Sequence, residues 1–140
     1  MGSFNLPTTP QRSRIMSAIR GRDNISTERR MVKILRSQKI SGWRRHMKLP
    51  GSPDFAFPVG HVAVFVHGCF WHGCPRCYKE PRSNVEYWRE KIARNRKRDA
   101  KVARQLRRLS WRVLSFWEHS LGDADAVAAR IRRALINRLG

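Results

Sequence analysis

The chain has 140 residues, enough for one compact domain with little room for a second. Its hydrophobic content of 41% supports a real core and excludes a disordered basic tail. Lys and Arg number 30 against 10 Asp and Glu, a formal net charge of +20 that no fold needs; it points to a polyanionic partner, nucleic acid first and an anionic membrane as the rival.

No apolar run approaches the ~18 residues of a bilayer span. The opening segment MGSFNLPTTPQRSR lacks the apolar centre of a signal peptide. A soluble, cytoplasmic protein is expected. Residues 1–10 read as a flexible arm ahead of a single domain over 11–140. Residues 11–20 have helical spacing, with Ile15, Ala18 and Ile19 on one face. A second helix is expected over 27–38, capped by Ser26 or Thr27, with Met31, Ile34 and Leu35 at helical spacing and Glu28 in its first turn. A strand is expected over 42–47, then a Pro-Gly turn. Asp54–Phe57 and His61–Val66 follow as a hairpin around Pro58-Val59-Gly60. Residues 67–77 read as loop. A long basic helix is predicted over 84–108, a strand over Trp111–Phe116, and an amphipathic helix over Asp123–Leu139 with Val127, Ile131, Leu135 and Leu139 on one face. This order describes an α/β layer fold, a small mixed central sheet flanked by helices.

Cys69, Cys74 and Cys77 crowd into one Gly- and Pro-broken loop. An odd, clustered set argues against a disulfide framework and for a metal. Structural zinc takes four S or N ligands. His119, just after the last predicted strand, is the candidate for the fourth; His46, His61, His67 and His72 are the competitors. The alternative is three buried free thiols. A site with enough ligands to close reads as structural.

Asp54 opens a strand between Pro53 and the apolar run Phe55-Ala56-Phe57. A carboxylate there is costly unless a cation or a donor meets it. Metal-dependent phosphodiester cleavage needs such an acid to hold Mg²⁺ against the scissile phosphate. Pro-Asp, strand, turn, strand is the opening half of the PD-(D/E)xK nuclease pattern. The second half is missing, because HVAVFV offers neither acid nor Lys and ends in His67, with His72 close by. On the residues alone, Asp54 as a turn cap and the histidines as zinc ligands or surface groups stays open.

HVAVFVHGCFWHGCPRCY, with GSPDF before it and WRVLSFWEHSL after it, resembles the very-short-patch-repair (Vsr) endonuclease family. RSRIMSAIRGRDNISTE matches the family's N-terminal helical region and EYWREKIARNRKRD its long helix, so the likeness runs from about Arg12 to Leu121 in matching order. It implies a restriction-endonuclease-like fold and a Mg²⁺-dependent enzyme that nicks duplex DNA 5′ of the T in a T:G mismatch. It implies Asp54 and the backbone carbonyl of Val66 as Mg²⁺ ligands, where some members have Thr at the position of Val66. His67 and His72 match the active-site histidines, His72 as general base oriented by Glu28. Cys69, Cys74, Cys77 and His119 match the zinc ligands. Phe70, Trp71 and Trp88 match aromatic residues that wedge into the base stack, Trp88 having a core role as its alternative. Lys91 and Asn95, and more weakly Met16, fall where members contact the mismatch, while Arg94, Arg96, Lys97 and Arg98 suit phosphates or a solvated face. The implied partners are mismatched duplex DNA and repair proteins, for a monomer associated with a bacterial nucleoid. The rivals are a nickase or restriction-like endonuclease with another target, and a non-catalytic zinc DNA-binding module.

Overall fold

The structure, a computed structural model, describes residues 26–69 and 72–139. The expected arm over 1–10, the helix over 11–20, Met16, Phe70 and Trp71 lie outside them. A helix, α1, covers residues 26–37. Met31, Ile34 and Leu35 form its buried face, joined at the helix start by Thr27 and Glu28. It ends in a Schellman motif: Lys39 takes the left-handed conformation at φ 57°, its N–H bonds to Arg36 O, and Ile40 N–H reaches back to Leu35 O at 2.9 Å. The four strands are β1 (Arg44–Arg45), β2 (Phe55–Phe57), β3 (Val62–His67) and β4 (Arg112–Trp117). Helix α2 (Val85–Arg108) links β3 to β4, and a short 3-10 helix (Glu118–Gly122) leads into α3 (Ala124–Leu139). The side chain of Leu139 lies outside the description.

The sheet order is β1-β2-β3-β4. The first two pairings are antiparallel and β3–β4 is parallel, with Val62 opposite Arg112 and His67 opposite Trp117. The long connection a parallel pair requires is supplied by α2. The expected small mixed sheet flanked by helices is therefore what forms. Side-chain alternation divides the core in two. Phe55, Phe57, Val62 and Val64 pack with α1 and α3 residues such as Met31, Leu35, Val127 and Ile131. Ala56 and Ala63, pointing the other way, pack with Leu106 of α2 and Trp111. Two alanines at the centre of that face let a whole helix lie close to the sheet. Phe55 is fully buried, so its truncation to Ala should cost about 3–5 kcal/mol.

Most element ends shift by a residue or so from expectation, Asp54 for one preceding β2 instead of opening it, and three of the differences have local backbone reasons. The 42–47 strand shrinks to two residues because His46 turns left-handed at φ 54°. His61 does likewise, so β3 begins one residue late; the His61 ring stacks on Trp111 at 4.8 Å and its carbonyl accepts from Arg112 N–H. Trp111 closes the end of α2, its N–H bonding Leu106 O at 2.9 Å after left-handed Ser110, so β4 also starts one residue late. No helix among the described residues is long and apolar enough to cross a membrane.

Candidate active site and metal-binding knot

The C-terminal end of β3 organises two sites. The first is a cleft of about 310 Å³, lined among others by Asp54, Val66, His67, His72, Arg98 and Asp99. Asp54 immediately precedes β2, and its Oδ2 accepts the backbone N–H of Val66 at 2.7 Å. Burial pushes the Asp54 carboxyl above its ordinary value; the Val66 N–H opposes this and the nearby Glu28 adds to it. A carboxylate held in that state gains from a cation, which favours its charged form.

His67, the last residue of β3, and His72, in the loop beyond, sit with ring centroids 4.4 Å apart. His72 Nδ1 lies 2.5 Å from Asp99 Oδ2, and His67 Nδ1 lies 3.9 Å from the same oxygen. Burial, then the neighbouring His72, push the His67 ring down to about 4 against the pull of Asp99, so it is neutral near pH 7. Both loops that carry the acid and the histidine are pressed onto α2. Gly51, at φ 76°, leaves no room for a Cβ, which would fall 2.3 Å from Val102; at Gly73, φ 65°, a Cβ would fall 2.6 Å from Ile92.

The second site is the cysteine loop. Because β3 and β4 run parallel with His67 opposite Trp117, the residue two beyond each strand end comes alongside the other: Cys69 and His119. The Sγ atoms of Cys69, Cys74 and Cys77 lie 3.5, 3.5 and 3.3 Å from His119 Nδ1. A tetrahedral ion at the usual Zn–S and Zn–N lengths separates S from N by about 3.5 Å, so this quartet fits a metal ion of that kind. Burial above all pushes the Cys69 thiol up to about 11, and a bound cation would be what makes it a thiolate.

The sequence profile described as DNA mismatch endonuclease Vsr matches residues 5–79. A type II nicking enzyme of Xanthomonas oryzae pv. oryzae, V.XorIIP, is 40% identical over 131 residues, covering 91% of this chain and 94% of that protein. The chain belongs to the Vsr family of DNA endonucleases. The Escherichia coli protein named DNA mismatch endonuclease Vsr is also 40% identical, over 112 residues that cover 79% of this chain and 70% of that one. Type II nicking enzyme V.NmeAIP of Neisseria meningitidis is 32% identical over 128 residues, 90% of each chain.

Within this family member the structure brings Asp54, Val66, His67 and His72 to one cleft and the three cysteines to His119. One expected contact is not made. Glu28 does not pair with His72: its Oε1 lies 2.6 Å from Arg45 and 2.9 Å from His46, because β1 and the residue after it bring Arg45 and His46 beside the start of α1. The carboxylate at His72 is Asp99, which the sequence reading overlooked amid the basic middle of the helix. A signal was present: Trp88, Ile92, Asn95, Asp99, Val102 and Leu106 continue one helical stripe, and every member is buried or half-buried. Lys91 is half-buried beside this stripe, and Trp88 lies edge-on to Tyr87 at 5.1 Å.

Proposed function

We propose that this endonuclease nicks one strand of duplex DNA on the 5′ side of the T in a T:G mismatch, leaving a 5′-phosphate. The observation that carries the reading is the convergence of Asp54, His67 and the His72–Asp99 pair in one cleft, in a chain 40% identical to the E. coli mismatch endonuclease. Asp54 and the Val66 carbonyl would hold Mg²⁺, which when bound polarises the scissile phosphate and offsets charge on the leaving oxygen. Asp99 accepts from His72 Nδ1 and so leaves Nε2 free to take a proton from the attacking water. Neutral His67 donates a hydrogen bond toward the phosphate. Glu28, clamped by Arg45 and His46, supports the wall beside Asp54. Phe70 and Trp71, with Trp88, would enter the base stack, where a poorly paired step costs least to open. Lys91 and Asn95 would meet the mismatched bases, and the surplus of cations would meet phosphates. The knot of Cys69, Cys74, Cys77 and His119 would hold structural Zn²⁺ and keep the His72 loop on α2.

Nicking of T:G, A:G and matched duplexes under single-turnover conditions, with Mg²⁺ and with chelator, tests this. Nicking confined to T:G and dependent on Mg²⁺ is expected. Equal cleavage of matched duplex would move the chain to a nickase with another target. Several relatives bear the name type II nicking enzyme, which makes that outcome the one worth measuring against.

A further inference from the structure

Besides the cysteine knot, the described residues contain one other cluster of three metal-competent side chains. His67, His72 and Asp99 each offer one ligand atom, and these atoms all lie within 4.8 Å of one another. Two imidazoles and one carboxylate are a poor match for Mg²⁺, which prefers an all-oxygen shell. They suit Zn²⁺ or Co²⁺, whose affinity for nitrogen donors far exceeds that of Mg²⁺. Three protein ligands with an open side toward a cleft also leave a position for water.

We propose that His67, His72 and Asp99 form a second transition-metal site, separate from the cysteine knot, and that Zn²⁺ bound there stops nicking. Ligand atoms around a tetrahedral ion stand about 3.3 Å apart at ordinary Zn–N and Zn–O lengths. The pair His72 Nδ1 and Asp99 Oδ2, now at 2.5 Å, must open by under an ångström, and His67 Nδ1, at 3.9 Å from that oxygen, must close by a similar step. Small side-chain rotations of these partly buried groups would supply both. The three residues come from three places: the end of β3, the loop after it and the middle of α2. The ion would therefore tie that loop to the helix at a second point. It would also take Asp99 from its hydrogen bond with His72 and replace the proton on Nδ1. That proton moves to Nε2 of the neutral, metal-bound ring, which then has no free lone pair, so the ion withdraws the group that accepts the proton of water. The inhibition, though not the binding, rests on the function proposed above.

The test starts from protein carrying a single equivalent of Zn²⁺ in the knot. Zn²⁺ is titrated in competition with a chromogenic chelator, and Co²⁺ binding is read from its visible absorption. A second equivalent is expected in the wild-type chain, lost in His72→Ala and in Asp99→Asn, and kept in His61→Gln. Retention of the first equivalent and of the thermal melt shows that each variant folds. Nicking of a T:G duplex in excess Mg²⁺ should fall at least tenfold as the second equivalent binds, and recover when chelator removes it. A single equivalent in the wild type, or a second one that survives His72→Ala, would overturn the site. Unchanged nicking at full second occupancy would overturn the inhibition. Absence of nicking already in the one-zinc protein would instead count against the proposed nuclease function and the inhibition that rests on it, while the stoichiometry still decides the site.

Discussion

Asp99→Asn separates two ways of building the histidine proposed as general base. In the structure His72 Nδ1 donates to the Asp99 carboxylate at 2.5 Å, which fixes the proton on Nδ1 and leaves the lone pair on Nε2. An amide at position 99 is nearly isosteric but can present its NH₂ to the ring. Nδ1 then accepts, the proton moves to Nε2, and the ring can no longer take one from water. The expected loss is that of a general base, about 10²–10⁴-fold, or about 2.7–5.4 kcal/mol on the barrier. Glu28→Gln should cost less than about tenfold, because Glu28 is engaged by Arg45 and His46 instead. The assay is single-turnover nicking of a T:G duplex in Mg²⁺, with affinity followed in Ca²⁺ and folding by thermal melt. If Asp99→Asn nicks within threefold of wild type while Glu28→Gln loses a hundredfold or more, the carboxylate serving His72 in the working enzyme is Glu28, and the reasoning fails.

Asp54→Ala should abolish nicking and leave duplex binding intact or tighter, since on the proposed mechanism the substitution takes away both a cation ligand and a negative charge facing phosphate; a wild-type nicking rate would remove Asp54 from the proposed metal site. Cys74→Ser should release the knot's metal and lower the melting temperature by roughly 10 °C or more, at roughly 4 °C per lost kcal/mol for a chain of this size; elemental analysis beside the melt checks it, and an equally stable metal-free wild type would contradict it. His67 has its folded value pushed down to about 4, so the unfolded chain binds the extra proton first and stability falls as pH drops from about 6.5 toward 4; urea unfolding across that window should show a shallower fall in His67→Gln. Lys39→Gly should stabilise the chain by about 0.5–1 kcal/mol, because the ~1–2 kcal/mol strain of a left-handed side chain outweighs the extra backbone entropy of glycine; a lower urea midpoint would show that strain is absent.

Strands β2 and β3 were legible because two faces of one sheet are buried and the alternation Phe-Ala-Phe and Val-Ala-Val records both. The starts of β3 and β4 were not, since left-handed His61 and Ser110 are set by contacts with Trp111 and Leu106 that lie far off in sequence or depend on how a helix stops. The Cys3His quartet was readable from local spacing plus a histidine just past a strand. The pairing of Glu28 was not: which of several cations or histidines reaches a buried acid is decided by sheet order, and β1 wins by lying closest. Asp99 was hidden in plain view, an acid among arginines whose meaning appears only when the helix is drawn with its inner stripe continuous.

That stripe gives α2 the character of a measuring rod. Asn95 and Asp99 stand one turn apart, about 6 Å along the axis, and Trp88 stands about 16 Å from Asp99. If the one end meets the mispaired bases and the other aligns His72, the distance from reading to cutting is set by helical register alone. A single residue inserted between Asn95 and Asp99 would lengthen the rod by only about 1.5 Å but swing the acid about 100° around the axis, off the cleft and into solvent. On the proposed function, point changes on this helix would tune which step is recognised, whereas insertions and deletions would uncouple recognition from cleavage altogether.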